Sequence, residues 1–445
     1  MKSDATTPQP DTSFSLPVRY LVLGWLCLAA ALAYGQRMLL GLCATLVQGE
    51  LALSDESMGW VLGAFFITYA VFQIPGGWLA SRWGSRAALA FVVAGCSLAA
   101  TCTGAAIGLV TLLVLRLAAG AAQAGIFPAA TSSIAHWFPR TERAVASGQL
   151  TGFMSAGGAG ALALGGWLLQ DQFLGWRAVY VMIGLPGIVW AVGFYLWFRN
   201  HPEEHRSVSM AELATIRGSE SGALPVHQRE TLPTEPTPWL ALARSKAMWL
   251  IAWQQFFRAA GYALFASWFP KYLQKVYGAS IETAGALTSV ALVAVVVGSV
   301  GGGAFSDWLL ARTGSRRGSR KITAIVTMLT CASFFLAAGY APNTKIVTVL
   351  IAAAALFGAI AGPVAYAITI DMGGRHVPTV FSIMNMSGNI GAAAFPVVVG
   401  ILVERTGRWE WVPAFVAGIY VVGSLGWMLL DTNGTVFDRD DVVAP

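Results

Sequence analysis

The sequence has little charge. Asp, Glu, Lys and Arg make up 11% of its 445 residues, where a soluble domain carries roughly 25%. That scarcity, with 56% hydrophobic residues and a mean hydropathy of +0.63, excludes a soluble enzyme and a disordered chain. It also excludes an ordinary nucleic-acid binder, although the net charge is +6 and the pI about 9.1, because the positive charges fall in short loops between apolar runs. Cysteine is scarce as well. Cys27, Cys43, Cys96, Cys102 and Cys331 all lie in apolar segments. They show neither paired nor metal-ligand spacing, so they read as small packing residues. No cleavable signal peptide is evident: residues 1–16 are polar, and the first apolar run is long enough to span a bilayer.

The apolar runs that are present number twelve, at 18–46, 57–80, 87–107, 109–135, 144–170, 176–198, 247–272, 281–305, 321–341, 346–370, 378–402 and 410–430. Each approaches the roughly 20 residues that a helix needs to cross the hydrocarbon core. None has the period-two alternation of a membrane barrel. The expected fold is therefore an all-α membrane protein of twelve transmembrane helices in two pseudo-symmetric six-helix bundles. The expected divisions are an N-terminal tail 1–17, a first bundle 18–198, a linker 199–246, a second bundle 247–430 and a C-terminal tail 431–445. The linker is marked by an abrupt rise in Glu and Pro, and a short helix is expected within it at 208–217. The halves repeat: Gly77–Arg86 recurs in degraded form as Gly303–Arg317, and Gly157 and Gly166 match Gly391 and Gly400 at a constant offset of 234. Nineteen of the 28 Lys and Arg fall in the tails, the linker and the loops of one side, and six in the loops of the other. The positive-inside rule then puts both termini in the cytoplasm.

What the spans lack most is acid. All 22 Asp and Glu fall in loops, tails or helix ends, and none of the five histidines lies in a span. Yet Arg37, Arg116 and Arg258 sit inside the first, fourth and seventh helices. A guanidinium in hydrocarbon costs ~3 kcal/mol or more and normally faces a cavity or a partner. With no carboxylate beside them, the natural counter-charge of these three is a substrate anion, which the planar fork of Arg grips in two places. Helical spacing surrounds them with polar neighbours: Tyr34 three before Arg37, Gln123 seven after Arg116, a stripe of Gln254, Arg258 and Tyr262, and Asn385 with Asn389 on the eleventh helix. The competing structural roles are snorkelling for Arg37, backbone carbonyls at a kink for Arg258, and helix–helix glue for the Asn pair. The Gly77–Arg86 loop follows a membrane helix rather than a strand, so it is not a dinucleotide cradle.

With these residues in view, the layout resembles the major facilitator superfamily over about 18–430. That family's loop signature runs G-x-x-x-D-R-x-G-R after the second helix. Gly77, Arg82, Gly84 and Arg86 match it, Ser81 stands in place of the Asp, and Asp307 keeps the acid in the second copy. More narrowly, Tyr34–Arg37 (YGQR), Arg116–Phe127 (RLAAGAAQAGIF), Trp137–Ala144 (WFPRTERA), Gly175–Arg177 (GWR) and Arg199–Glu204 (RNHPEE) resemble the anion:cation symporters, which include hexuronate, galactonate and phthalate permeases and the sialin and vesicular glutamate carriers. The resemblance implies that Arg37 and Arg116 bind the substrate carboxylate. Arg258 has no firm counterpart there, although organophosphate exchangers also use an arginine in the seventh helix. Proton-coupled members carry acids where this chain has Gln36 and Gln123, and glutamine does not take up a proton near neutral pH.

The resulting expectation is a transporter of small organic anions, carboxylates such as sugar acids, working by alternating access in the inner or plasma membrane. Exchange or facilitated movement fits better than carboxylate-mediated proton symport. The substrate site is expected at Arg37, Arg116, Arg258, Tyr34, Gln36, Gln123, Tyr262, Gln254, Asn385 and Asn389, and a gating loop at Gly77, Ser81, Arg82, Gly84, Arg86 and Asp307. No enzyme activity, cofactor, metal or nucleic-acid partner is expected, and the chain is expected to act as a monomer in the bilayer. The alternatives are an organophosphate or phosphate exchanger, a proton-coupled symporter with another proton carrier, and a membrane substrate sensor.

Overall fold

The computed structural model describes residues 17–139, 142–170, 174–218, 238–315, 317–373, 377–432 and 434–437. Within them the chain is nearly all helix, and no strand occurs among the described residues. The first bundle comprises α1 (Val18–Leu51), α2 (Asp55–Thr103), α3 (Leu109–Gln123), α4 (Ile126–Trp137), α5 (Arg143–Leu168) and α6 (Trp176–Trp197). The linker holds α7 (Met210–Gly218) and α8 (Trp239–Arg244). The second bundle comprises α9 (Lys246–Ala266), α10 (Phe269–Tyr277), α11 (Ile281–Thr313), α12 (Thr323–Ala338), α13 (Thr344–Gly373), α14 (Val377–Thr406) and α15 (Trp411–Leu429). Twelve crossings result, since α2 makes two, α3 with α4 makes one, and α9 with α10 makes one.

Local chemistry sets these boundaries. α2 starts at Ser54, whose side chain accepts a hydrogen bond from the Ser57 amide at 3.1 Å, with Asp55 and Glu56 in the first turn. A hydroxyl cap and acids there satisfy free amides and complement the helix dipole. Its two crossings meet at Gly84, where φ is +75°. The Asn200 side chain lies where a Cβ on Gly84 would be, and its Oδ1 accepts from the Arg86 amide at 2.9 Å. α1 is capped from outside its own sequence: Glu212 on α7 accepts from the amides of Val18 at 3.1 Å and Arg19 at 2.9 Å. The linker helix thereby holds down the first membrane helix. The expected linker helix at 208–217 is thus found as α7, while 219–237 lie outside the described residues.

The two bundles meet along α2 with α14 and α5 with α11. These pairs approach main chain to main chain. A Cβ on Gly59 would sit 2.5 Å from the Pro396 carbonyl oxygen, and one on Gly285 would sit 2.5 Å from that of Leu162. Both contacts lie in the half of the molecule away from the termini. A polar cluster closes that same end. Lys271 on α10 contacts Gln48 Oε1 and Asp55 Oδ1 across the bundles, and Glu404 on α14 accepts from the Asp55 amide at 2.8 Å. The molecule is therefore shut at the end opposite its termini.

Candidate functional site

Between the bundles, and roughly midway along them, lies a cavity of about 220 Å³. α1 supplies Tyr34 and Arg37 to it, α2 supplies Tyr69, and α5 supplies Thr151 and Ser155. From the second bundle α9 supplies Gln255, Arg258 and Tyr262, α13 supplies Tyr366, α14 supplies Asn385 and Asn389, and α15 supplies Tyr420. No Asp, Glu, His or Lys is among the described lining residues.

Arg37 enters the cavity through a ring of aromatic faces. Its guanidinium carbon lies 4.3 Å from the centre of Phe66, 5.1 Å from Tyr34, 5.1 Å from Phe65 and 5.6 Å from Tyr69. Such faces attract a cation without using its N–H donors, and the buried Nε has no hydrogen-bond partner among the described residues. Arg258 donates from Nε to Gln255 Oε1 at 3.0 Å, which orients the side chain, and its Nη1 packs beside Gly362 on α13. Neither arginine pairs with a carboxylate among the described residues. Across the seam Asn385 donates to Gln73 Oε1 at 2.9 Å, and Asn389 donates to the Asn385 carbonyl at 3.0 Å.

Of the residues expected from sequence, Arg37, Arg258, Tyr34, Tyr262, Asn385 and Asn389 come together here. Four others lie elsewhere. Gln254 is fully buried and donates to its own helix at Ile251 O, 2.9 Å away. The cause is helical geometry: eight residues at 3.6 per turn drift by about 80°, so a stripe through Arg258 and Tyr262 passes Gln255 instead. Gln36 turns into the first bundle, where its amide donates to Ser97 Oγ at 3.1 Å and to Ile183 O at 3.2 Å. Arg116 lies behind the central cavity, in an enclosed chamber of about 10 Å³ that it shares with Gln36, Arg37, Phe65, Cys96 and Tyr180. Gln123 is buried with both amide atoms unpartnered and lines neither space. Tyr69, Gln73, Gln255, Tyr366 and Tyr420 were not anticipated. A usable signal existed for Tyr69 and Gln73, which are four apart in an otherwise apolar run.

The loop after the first crossing of α2 packs on α6. Arg86 donates from Nε to the Tyr195 carbonyl at 2.7 Å and lies 4.6 Å over the Tyr195 ring. Arg82 covers the Trp78 ring at 5.5 Å, and Ser81 donates to the Trp78 carbonyl at 2.8 Å. Gly77 precedes this turn at the end of the first crossing. The Asp307 side chain lies outside the described residues. All five cysteines are unpaired, Cys102 exposed and the other four buried.

The chain is similar to known proteins over almost its whole length. A D-galactonate transporter of Escherichia coli is 30% identical over 420 residues, covering 93% of this chain and 95% of that protein. A protein named "probable sulfoacetate transporter" from Cupriavidus necator is 28% identical over 427 residues, covering 96% of this chain and 97% of that protein. The crystal structure of a bacterial homologue of the human lysosomal transporter Spinster, in an inward-facing and occupied conformation, superposes with a TM-score of 0.70 at 20% identity, covering 94% of this chain and 95% of that one. The family model described as Major Facilitator Superfamily matches residues 26–317 and 308–439. Two six-helix bundles closing on a shared polar cavity, with that match over nearly the whole length, make this chain a member of the Major Facilitator Superfamily.

Proposed function

We propose that this chain carries small organic anions, carboxylates such as sugar acids, across the inner or plasma membrane by alternating access, with both termini in the cytoplasm. The observation that carries the reading is the pair Arg37 and Arg258: two cations line one cavity, one on each bundle, with no carboxylate beside either among the described residues. Charge in a low-dielectric cavity is costly unless it is compensated. An anion entering between the bundles supplies the compensation and touches both, so it favours the form in which they close around it. The relatives named as a D-galactonate transporter and as a probable sulfoacetate transporter support the same chemistry.

Arg116 stands behind Arg37 and keeps the first bundle electropositive. Gln36 and Gln123 hold amides where proton-coupled symporters hold acids, so the anion moves by exchange or by facilitated diffusion. The test is uptake of labelled galactonate and sulfoacetate into proteoliposomes, with and without an imposed pH gradient. Uptake that needs Arg37 and ignores the gradient is expected. Stoichiometric proton movement with strong gradient-driven accumulation would overturn the coupling reading, and saturable uptake of inorganic phosphate alone would favour a phosphate exchanger.

A further inference from the structure

We infer that the second bundle carries a lipid site on its outer surface: a groove that takes one acyl chain of a phospholipid whose headgroup holds both a phosphate and a protonated amine. The inference stands on the membrane-spanning fold and does not depend on what the central cavity carries. α14 and α15 both pack on α9, and with α9 as its floor they leave a groove of about 380 Å³. Phe256, Phe257, Ala394, Val398, Gly418 and Val422 line it, and its described lining holds no polar side chain. Toward the end away from the termini a second hollow of about 570 Å³ follows, walled by Leu336, Leu402, Trp411 and Ala414. Phe415 borders both, so the two succeed one another along α15.

Length, access and charge name the occupant. The rise from Trp411 to Val422 along α15 is about 16 Å, and half of a hydrocarbon core about 30 Å thick is about 15 Å. The two hollows therefore run from one membrane surface to the midplane, the extent of one leaflet's acyl chain. The exposed rings of Tyr340 and Trp411 mark the upper end, because Tyr and Trp favour the level of the headgroups. The groove is open from the side: Val398 is exposed, and a Cβ on Gly418 would meet nothing within 4 Å. Opposite charges stand at the mouth. Glu410 lines the upper hollow, and the Arg408 guanidinium carbon lies 5.5 Å over the Trp411 ring. Neither forms an ion pair among the described residues. A headgroup amine suits Glu410 and a phosphate suits Arg408 as charge-assisted hydrogen bonds. A purely anionic headgroup would oppose Glu410, and a choline has no N–H to donate to it.

The experiment uses the full-length protein purified in detergent. It is mixed with equal amounts of phosphatidylethanolamine, phosphatidylglycerol and phosphatidylcholine of identical acyl chains, and bound lipid is read by native mass spectrometry. Retention of a single phosphatidylethanolamine per chain, in preference to the other two, is expected. Gly418→Leu places a side chain in the groove and should lose that adduct. Gly24→Leu, at an exposed glycine of α1 that also has open space around it, should keep it. Glu410→Gln should keep a bound lipid but lose the preference over phosphatidylglycerol. Equal retention of the three lipids by the wild type, or an undiminished adduct in G418L, would overturn the assignment and leave this face in ordinary contact with the bilayer. If G418L does not elute as a single species, E410Q decides alone, and an unchanged preference in it would overturn the assignment.

Discussion

The Arg116 guanidinium carbon lies 4.9 Å from the centre of the Phe65 ring, and Arg37 lies 5.1 Å from that same ring. One aromatic side chain therefore serves two cations, one facing the central cavity and one in the chamber behind it. A buried cation–π contact contributes about 0.5–2 kcal/mol. Phe65→Leu keeps most of the volume and removes the π face from both arginines. We expect the protein to fold and its affinity for the transported anion to fall on the order of tenfold, a change of about 1.4 kcal/mol. Titration calorimetry checks this, and unaltered affinity would mean that the arginines are held by other contacts.

Lys271 ties the bundles together at the end away from the termini, through Gln48 and Asp55. Lys271 is almost fully buried, whereas Asp55 is partly exposed. Removing one partner of a buried pair costs about 3–5 kcal/mol, and the exposure of Asp55 reduces that to about 1–3 kcal/mol. Lys271→Gln should shift the resting population toward the form open at that end. Distances between spin labels placed on the two bundles at that end should lengthen in a growing fraction of molecules, and an unchanged distribution would show that the tether does not set the resting state.

Gln36 donates to the Ile183 carbonyl and to Ser97 Oγ, in a chamber it shares with Arg37 and Arg116. Gln36→Glu replaces a donor by a carboxylate beside two guanidiniums. The new acid competes with the substrate for their charge, so uptake at neutral pH should drop several-fold. Acidification, which neutralises the carboxylate, should restore part of it. Uptake by the wild type should show no such rescue. A variant with flat pH dependence would place Gln36 outside the electrostatics of the site.

His205 in the linker touches the rings of Trp137 at 5.8 Å and Trp197 at 4.8 Å, and its Nδ1 accepts from the Ser207 amide at 3.3 Å. Burial, and secondarily Arg199, hold its imidazole below the ordinary value of 6.5. The folded state thus favours the neutral ring. As pH falls through about 6.5 the unfolded chain takes up a proton that the folded chain resists. Thermal stability should decline from there down to the folded-state value and level off below it. His205→Phe should flatten that part of the profile in a thermal melt series, and an identical slope would assign the acid sensitivity to other groups.

The twelve crossings were legible because a span is a statement about length and apolarity, and the chain states it repeatedly. Among the described residues, nine helical stretches meet that standard by length and composition, and the first crossing of α2, α5 and α9 do not. α9 carries the buried Gln254 beside the cavity-lining Gln255 and Arg258, and α5 is rich in glycine: polar groups and close helix contacts dilute the signal. Arg37 and Arg258 were readable as isolated cations in apolar runs. The position of Arg116 behind Phe65 was not, because sequence spacing gives the face of a helix but not which neighbour covers it. The choice of Gln255 over Gln254 turned on a rotation of one residue, finer than a four-residue stripe resolves.

The seam at Gly59 and Pro396 has one more consequence. Where two helices meet through main chain alone, the atoms that touch have already spent their hydrogen bonds inside their own helices. Parting that one contact strands no donor; the hydrogen bonds that must break lie elsewhere on the seam, from Asn385 to Gln73 Oε1 and from the Asp55 amide to Glu404. At Gly59 the bundles therefore meet on a smooth spot between those polar ties, and any side chain added there would act as a burr on it.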